Sequence, residues 1–95
     1  MRIVECLWKE QFIEKLERKH SVSTDEVEEV FGKARTRYDF IAKGRASGEN
    51  VYRALGQTDA GRYLAVFFIY KRDGKALTIS ARDMDGKERR RYGKE

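Results

Sequence analysis

The feature that most constrains the fold of this chain is the run from Tyr63 to Tyr70, in which nearly every residue is apolar. Such a run predicts a central strand, because a strand that is apolar on both sides must be covered on both faces of its sheet. Its longest uninterrupted apolar part, Leu64 to Tyr70, is seven residues long and is far too short to span a membrane. The fold therefore has to be built around this strand.

Four flanking segments predict the other strands of the sheet. They are residues 2–8, Arg35 to Ile41, Val51 to Gly56 and Leu77 to Arg82. Simple alternation along the last segment puts its apolar residues on one face and its polar residues on the other, namely Leu77, Ile79 and Ala81 against Thr78, Ser80 and Arg82. Turns at residues 58–61 and 72–74 connect consecutive strands, so the second half is predicted to be an antiparallel meander. The polar segment from Lys43 to Asn50 is predicted to be a loop.

Three helices are also predicted. The first covers Lys9 to Lys19 and has a narrow apolar stripe. The second begins at a capping box, Ser23 with Glu26, and ends at Gly32, and the same capping-box spacing at Asp85 and Glu88 begins a short basic third helix. Two short helices with narrow apolar faces cannot form a core alone. The prediction is one α+β domain over residues 1–95, in the order β-α-α-β-β-β-β-α, with a mostly antiparallel sheet and the first two helices packed on it.

Composition and charge restrict the classes of function. The chain has one cysteine and one histidine, which excludes an internal disulfide and a His/Cys metal site, so neither a metal nor another cofactor is expected. The N-terminus lacks the features of a signal peptide, and we expect a cytoplasmic protein without a membrane segment. The chain has a net charge of +5, which is unevenly distributed. Residues 1–34 carry six Lys/Arg and eight Asp/Glu, whereas residues 35–95 carry fifteen Lys/Arg and eight Asp/Glu. The second half therefore favours an anionic partner such as RNA, although a solvated basic face has the same composition.

The candidate binding residues are arginines on predicted strands and in the last helix. Arg53 and Arg82 would be held rigidly by their strands, which suits bidentate phosphate binding, although each could instead pair with Glu49, Asp83 or Glu88. The last helix adds further basic side chains and an aromatic residue for contact with phosphates and stacking on a base, namely Lys87, Arg89, Arg90, Arg91 and Tyr92. His20 is either a helix-terminal cation or an acid/base group, and both uses stay open.

The order of these motifs resembles the BrnT family over roughly residues 5 to 92. The matching motifs are Trp8-Lys9, Lys19-His20-x-Val22-Ser23, Gly48-Glu49, Tyr52-Arg53-Ala54-Leu55-Gly56, Gly61-Arg62-Tyr63-Leu64, Ile79-Ser80-Ala81-Arg82-Asp83 and Glu88-Arg89-x-x-Tyr92. Members of this family are toxins of bacterial type II toxin–antitoxin systems, similar in fold to the RelE-type ribonucleases.

The resemblance implies a metal-independent endoribonuclease that inhibits translation and is neutralised by a ribbon-helix-helix antitoxin, through which alone it would reach operator DNA. It implies a site drawn from Lys19, His20, Glu49, Arg53, Arg82 and Tyr92. Chemistry suggests that Arg53 and Arg82 stabilise charge, that Glu49 or His20 is the base, and that Lys19 or Tyr92 assists. A non-catalytic nucleic-acid-binding module and an antitoxin-binding protein without activity are the two alternatives.

Overall fold

The computed structural model describes residues 1–45 and 48–94 and contains a five-stranded mixed sheet with three α-helices. The elements are β1 Glu5–Leu7, α1 Glu10–His20, α2 Thr24–Phe31, β2 Arg37–Ala42, β3 Val51–Gln57, β4 Tyr63–Lys71, β5 Lys75–Asp83 and α3 Gly86–Gly93. This order confirms the predicted α+β class and the predicted succession of elements. The predicted loop from Lys43 to Asn50 includes residues 46 and 47, which lie outside the described residues. None of the described helices is long and apolar enough to cross a membrane.

The strands lie in the order β1-β5-β4-β3-β2, so the apolar run forms the central strand, as predicted. Strands β2 to β5 form an antiparallel meander, while β1 pairs parallel to β5 and completes the sheet. The tight turn between β4 and β5 has positive φ at Asp73 (65°) and Gly74 (77°), the backbone geometry that the Asp-Gly pair predicted.

Both predicted capping boxes are present. The Ser23 hydroxyl accepts from the Glu26 N–H at 3.2 Å at the start of α2, and the Asp85 carboxylate accepts from the Glu88 N–H at 2.8 Å at the start of α3. Helix α2 ends at Gly32 as predicted, but this glycine keeps right-handed angles (φ −81°). The left-handed helix end occurs instead after α1, at Ser21 (φ 52°).

The apolar core lies between one face of the sheet and helices α1 and α2. Phe68 at its centre is fully buried, contacts the rings of Phe31 and Tyr38 edge-on, and stacks against Tyr52. The two helices contribute the buried residues Leu16, Val27 and Val30, and the segment between them contributes Val22. Burial of these side chains from both layers is what holds the helices on the sheet.

The predicted alternation along β5 is wrong. A bulge lies opposite the step from Phe67 to Phe68, because Phe67 pairs with Ser80 and Phe68 pairs with Thr78, which leaves Ile79 as an extra residue. One extra residue reverses the parity of a strand. Thr78 is consequently fully buried on the core face, whereas Ser80 and Arg82 lie on the opposite face.

Strand β2 begins at Arg37, two residues later than predicted. The reason lies at Thr36, whose hydroxyl donates to the Val30 carbonyl at 2.5 Å and whose N–H donates to the Lys33 carbonyl. These hydrogen bonds hold the preceding residues in a turn against the end of α2. Gly56 of β3 faces this turn closely, since a Cβ there would lie 2.6 Å from the Thr36 hydroxyl oxygen.

Candidate nucleic-acid interface

The candidate site lies on the sheet face opposite α1 and α2, which we term the open face. Residues paired across the strands share a face, and Arg53 of β3 is paired with Asp39 of β2 and Phe67 of β4. Arg82 of β5 is paired with Ala65 on the same face. Helix α3 packs on part of this face and adds side chains from above. Three strands and one helix therefore meet at the site.

Asp39 joins two of the arginines. Its carboxylate accepts from Arg53 Nη2 at 2.8 Å and from Arg91 Nε at 3.0 Å, with a further hydrogen bond from Arg91 Nη2. The hydrogen bonds from Arg91, together with those from Arg53, outweigh burial and lower the pKa of the Asp39 carboxyl from 3.8 to about 2. Asp39 is therefore ionised at neutral pH and too weak a base to accept a proton there.

Glu88 joins Arg82 and Arg53. Arg82 donates to both of its oxygens, at 2.6 and 2.9 Å, and Arg53 Nη1 approaches at 3.4 Å. The Glu88 side chain is 4% exposed. Burial opposes its ionisation, but the hydrogen bonds from Arg82 and from the Asp85 N–H more than offset it, so the pKa of Glu88 is lowered. Glu88 thus serves as a fixed counter-ion.

We term Arg53, Arg82 and Arg91, with Asp39 and Glu88, the arginine cluster. Its three guanidinium groups exceed its two carboxylates, which leaves a net positive charge. The side chains of Arg82 and Arg91 are 36% and 50% exposed, whereas Arg53 is mostly buried. The two outer arginines are held by carboxylates on one side and face solvent on the other. Such an arrangement can bind a phosphate without first having to order its guanidinium groups.

Pairing with acidic residues, the alternative considered for Arg53 and Arg82, is also present. Both arginines bind Glu88, while Asp83 binds Arg62 and Glu49 binds Lys71 at 3.1 Å. Ion pairing and phosphate binding are compatible here because the outer arginines remain accessible.

Among the predicted catalytic residues, Glu49 lies away from the cluster. It precedes β3 by two residues and pairs with Lys71, at the end of the strands remote from Arg82. An extended strand advances about 3.3 Å per residue, so the four residues from Glu49 to Arg53 correspond to roughly 13 Å. The structure does not bring Glu49 next to Arg53.

Lys19 and His20 lie at the end of α1, on the core side of the sheet. Lys19 is exposed, and its side chain has no hydrogen bond or ion pair to other residues in the described ranges. His20 is linked to the neighbourhood of Arg82 through one residue that the sequence reasoning did not single out, Arg62. Arg62 Nη2 donates to the His20 carbonyl at 2.9 Å, and its Nε donates at 2.8 Å to Asp83, which follows Arg82 in β5.

Arg62 also donates to the Ser21 carbonyl at 2.8 Å and contacts Glu26 at 3.3 Å, so it fastens the end of α1 to strands β4 and β5.

Asp39 is a second residue of the site that the sequence analysis did not predict. Its partners depend on the pairing of β2 with β3 and on the position of α3. No local signal in the sequence contains that information.

The remaining predicted residues lie on or around α3. The Tyr92 hydroxyl is 3.5 Å from Gln57 Oε1, and its ring meets Tyr63 edge-on at 6.0 Å. Arg89 lies over the Tyr63 ring at 3.7 Å. Lys87 and Arg90 are exposed. Within residues 1–45 and 48–94, no three His, Cys, Asp or Glu side chains are grouped so that they could hold a metal ion.

Comparison with known proteins identifies the family. The family model described as "Ribonuclease toxin, BrnT, of type II toxin-antitoxin system" matches residues 8–88, which is most of the chain. This chain belongs to the BrnT family. No curated protein matches it.

The fold is also similar to a solved member of the family. The 1.1 Å crystal structure of the Brucella abortus ribonuclease toxin BrnT superposes with a TM-score of 0.62 at 17% sequence identity, over 86% of this chain and 97% of the Brucella chain. At this identity the likeness shows the fold alone. Membership of a type II toxin–antitoxin family implies an antitoxin partner and an RNA target.

Proposed function

We propose that this BrnT-family chain is an endoribonuclease that cuts RNA without a metal ion and thereby inhibits translation. In the proposed step, the 2′-oxygen forms a bond to the adjacent phosphorus while the bond to the 5′-oxygen breaks. The products are a 2′,3′-cyclic phosphate and a free 5′-hydroxyl. The observation that carries this proposal is the arginine cluster, whose rigid guanidinium groups are suited to the extra negative charge that develops on the phosphoryl oxygens.

The roles within the step follow from exposure and charge. Arg82 and Arg91 are accessible and would contact the phosphate, whereas Arg53 supports them from beneath. The two carboxylates of the cluster are poor candidates for the base, because hydrogen bonds from the arginines occupy their oxygens and lower their pKa values. We assign the base to His20, the one imidazole of the chain, whose backbone carbonyl accepts from the same Arg62 that binds Asp83 beside Arg82. Lys19 and Tyr92 remain candidates for assisting groups, and Glu49 is the weaker candidate for the base.

A specific observation favours a second function, a nucleic-acid-binding module without catalysis. The two carboxylates of the cluster are already bound by its arginines, so the cluster can bind a phosphate but supplies no free base for cleavage. The two functions differ in a simple respect, since only the ribonuclease breaks the strand.

We further propose that the antitoxin is a ribbon-helix-helix protein and that the chain reaches operator DNA only through it. This part rests on family membership. The purified toxin–antitoxin complex should retard operator DNA on a gel, whereas the toxin alone should not. Retardation by the toxin alone at physiological salt would contradict this proposal.

The test of the ribonuclease is cleavage of an end-labelled RNA in excess EDTA by the parent, by Arg82→Ala and by the matched control Arg18→Ala. Arg18 is exposed on α1 and lies outside the cluster. Loss of a charge-stabilising donor is expected to slow cleavage by about 10²–10³-fold, and the control should cut at the parent rate. The fragments should end in a 2′,3′-cyclic phosphate.

Two results would count against the proposal. Cleavage by a folded Arg82→Ala protein at the parent rate would remove the cluster from the reaction. RNA that stays intact but binds in a salt-dependent manner would support the binding module.

A further inference from the structure

A groove beside the arginine cluster lies outside the phosphate contacts assigned to the arginines in the proposed reaction. It consists of two cavities of about 350 and 300 Å³ that share three lining residues, Ala34, Arg35 and Tyr92. We term it the Tyr92 groove. Its volumes fall at the lower end of the range for small-molecule sites, which is enough for one nucleotide.

The two halves of the groove differ in chemistry. The first half exposes mainly apolar surface, although its lining also contains the ion pair of Lys33 with Asp59. It includes Gln57, whose side chain contacts the Tyr92 hydroxyl. The second half is mainly polar, and its lining includes Arg37 and Lys94 but no carboxylate. An apolar pocket with an aromatic wall suits a base, and a cationic pocket suits a phosphate.

The cations of the second half differ from those of the arginine cluster. Within the described ranges, Arg35, Arg37 and Lys94 form no ion pair, whereas each arginine of the cluster is bound to Asp39 or Glu88. Unpaired cations around a cavity leave a positive potential that an anion can neutralise.

The groove also connects to the cluster in space. Arg37 and Asp39 are two residues apart on β2 and lie on the same open face, since they pair with Leu55 and Arg53 of β3. Two residues of a strand span about 7 Å. Arg91 and Tyr92 are adjacent in α3, so the same helix borders both the cluster and the groove.

We infer that the Tyr92 groove binds an unpaired nucleotide of RNA, with the base against Tyr92 in the apolar half and the phosphate at Arg37 in the polar half. This inference rests on the proposed function, because it takes the RNA backbone to run from the arginine cluster along β2 into the groove. Tyr92 then contributes a stacking surface, and its hydroxyl is not required for this contact.

The test uses a fluorescein-labelled tetranucleotide with 2′-O-methyl riboses, which the chain cannot cut, and an abasic backbone of the same length. Tyr92→Leu removes the ring and should weaken binding of the tetranucleotide by about 5- to 150-fold, the range for loss of one stacked base. Tyr92→Phe keeps the ring and should bind as the parent does. Lys15→Gln, an exposed charge on α1, is the matched control for Arg37→Gln.

The abasic backbone separates the two halves of the groove. Tyr92→Leu should bind it as well as the parent, because no base is present to stack. Arg37→Gln should weaken binding of both ligands and reduce the salt dependence, as expected for a lost phosphate contact. Ala34→Phe, at an exposed position on the shared wall, fills the groove and should reproduce the loss even if Tyr92→Leu folds poorly.

Three results would overturn the inference. They are tetranucleotide binding that is absent in the parent, equal binding by the parent and by folded Tyr92→Leu and Ala34→Phe, and an equal effect of Tyr92→Leu on both ligands. Because the tetranucleotide cannot be cut, these outcomes do not depend on catalysis. Undiminished cleavage by Arg82→Ala would refute the proposed reaction and leave the groove result intact.

Discussion

The two faces of the sheet are made by the same strands and have opposite chemistry. On the face under α1 and α2, Ala54, Val66 and Phe68 are fully buried among apolar neighbours. On the open face, the residues next to them in the chain include Arg53, which binds Asp39 and Glu88. A strand alternates its side chains, so neighbouring residues can serve the fold and the site separately.

The comparison shows where stability and binding originate. Fully buried apolar side chains contribute the larger share of stability, because their removal leaves cavities. The ion pairs of the open face involve partly exposed arginines, which water and salt weaken, so their main effect is to orient guanidinium groups. Substitutions on the two faces should therefore have different consequences.

The largest expected effect is on the core face. Phe68→Ala should lower the free energy of unfolding by about 3–5 kcal/mol, because it empties the centre of the core. The matched control is Phe40→Ala on the edge strand β2, where the side chain is 54% exposed and the loss should be below about 1 kcal/mol. Urea unfolding of both variants measures the difference. Similar losses of unfolding free energy for the two variants would contradict the view that the core face contributes most of the stability.

Among substitutions on the open face, we expect the replacement of Glu88 to reduce stability most. Glu88→Gln leaves Arg82 and Arg53 without their shared counter-ion, and we expect a loss of about 2–3 kcal/mol, less than for a fully buried ion pair because Arg82 is partly exposed. Glu14→Gln removes an exposed carboxylate from α1 and should change stability by less than about 0.5 kcal/mol. Urea midpoints at low and high salt provide the measurement.

A Glu88→Gln protein as stable as Glu14→Gln would mean that the cluster needs no counter-ion at this position. It would also mean that Arg53 and Arg82 are ordered by the strands alone.

The smallest expected effect is on the pH dependence of stability, through Asp39 on the open face. The pKa of Asp39 is about 2 in the folded chain and near its ordinary 3.8 when unfolded. Since the folded value is the lower one, the stabilisation is complete above pH 3.8 and is lost as the pH falls through about 2. Half-exposure of Arg91 limits the contribution to about 1–2 kcal/mol. Stability measured from pH 5 to 2 should fall less steeply for Asp39→Asn than for the parent, and parallel curves would contradict the assignment.

Much of the fold was predictable because its signals are local. The apolar run of β4, the capping boxes at Ser23 and Asp85 and the Asp-Gly turn each specify their own conformation within a few residues. The bulge at Ile79 was not predictable in this way, because it depends on how β5 pairs with β4. The parallel pairing of β1 with β5 likewise joins segments that are far apart in the chain.

The candidate site divides in the same manner. Charge distribution and motif order pointed to the arginines on strands and to α3, and the resemblance to the BrnT family is confirmed. Asp39 and Arg62 were not predicted as site residues, because their importance comes from partners on distant elements. The predicted catalytic roles of Lys19, His20, Glu49 and Tyr92 stay predictions, although Glu49 lies far from the cluster.

The sequence by itself determined the order of the elements, the central strand and the basic character of the second half. These follow from periodicity, capping and net charge, which are properties of neighbouring residues. Only the tertiary structure decided that two carboxylates hold three arginines on the open face and that a groove adjoins them. Those arrangements depend on strand register and helix docking, and both are set by the packing of the whole chain because no short segment contains both partners.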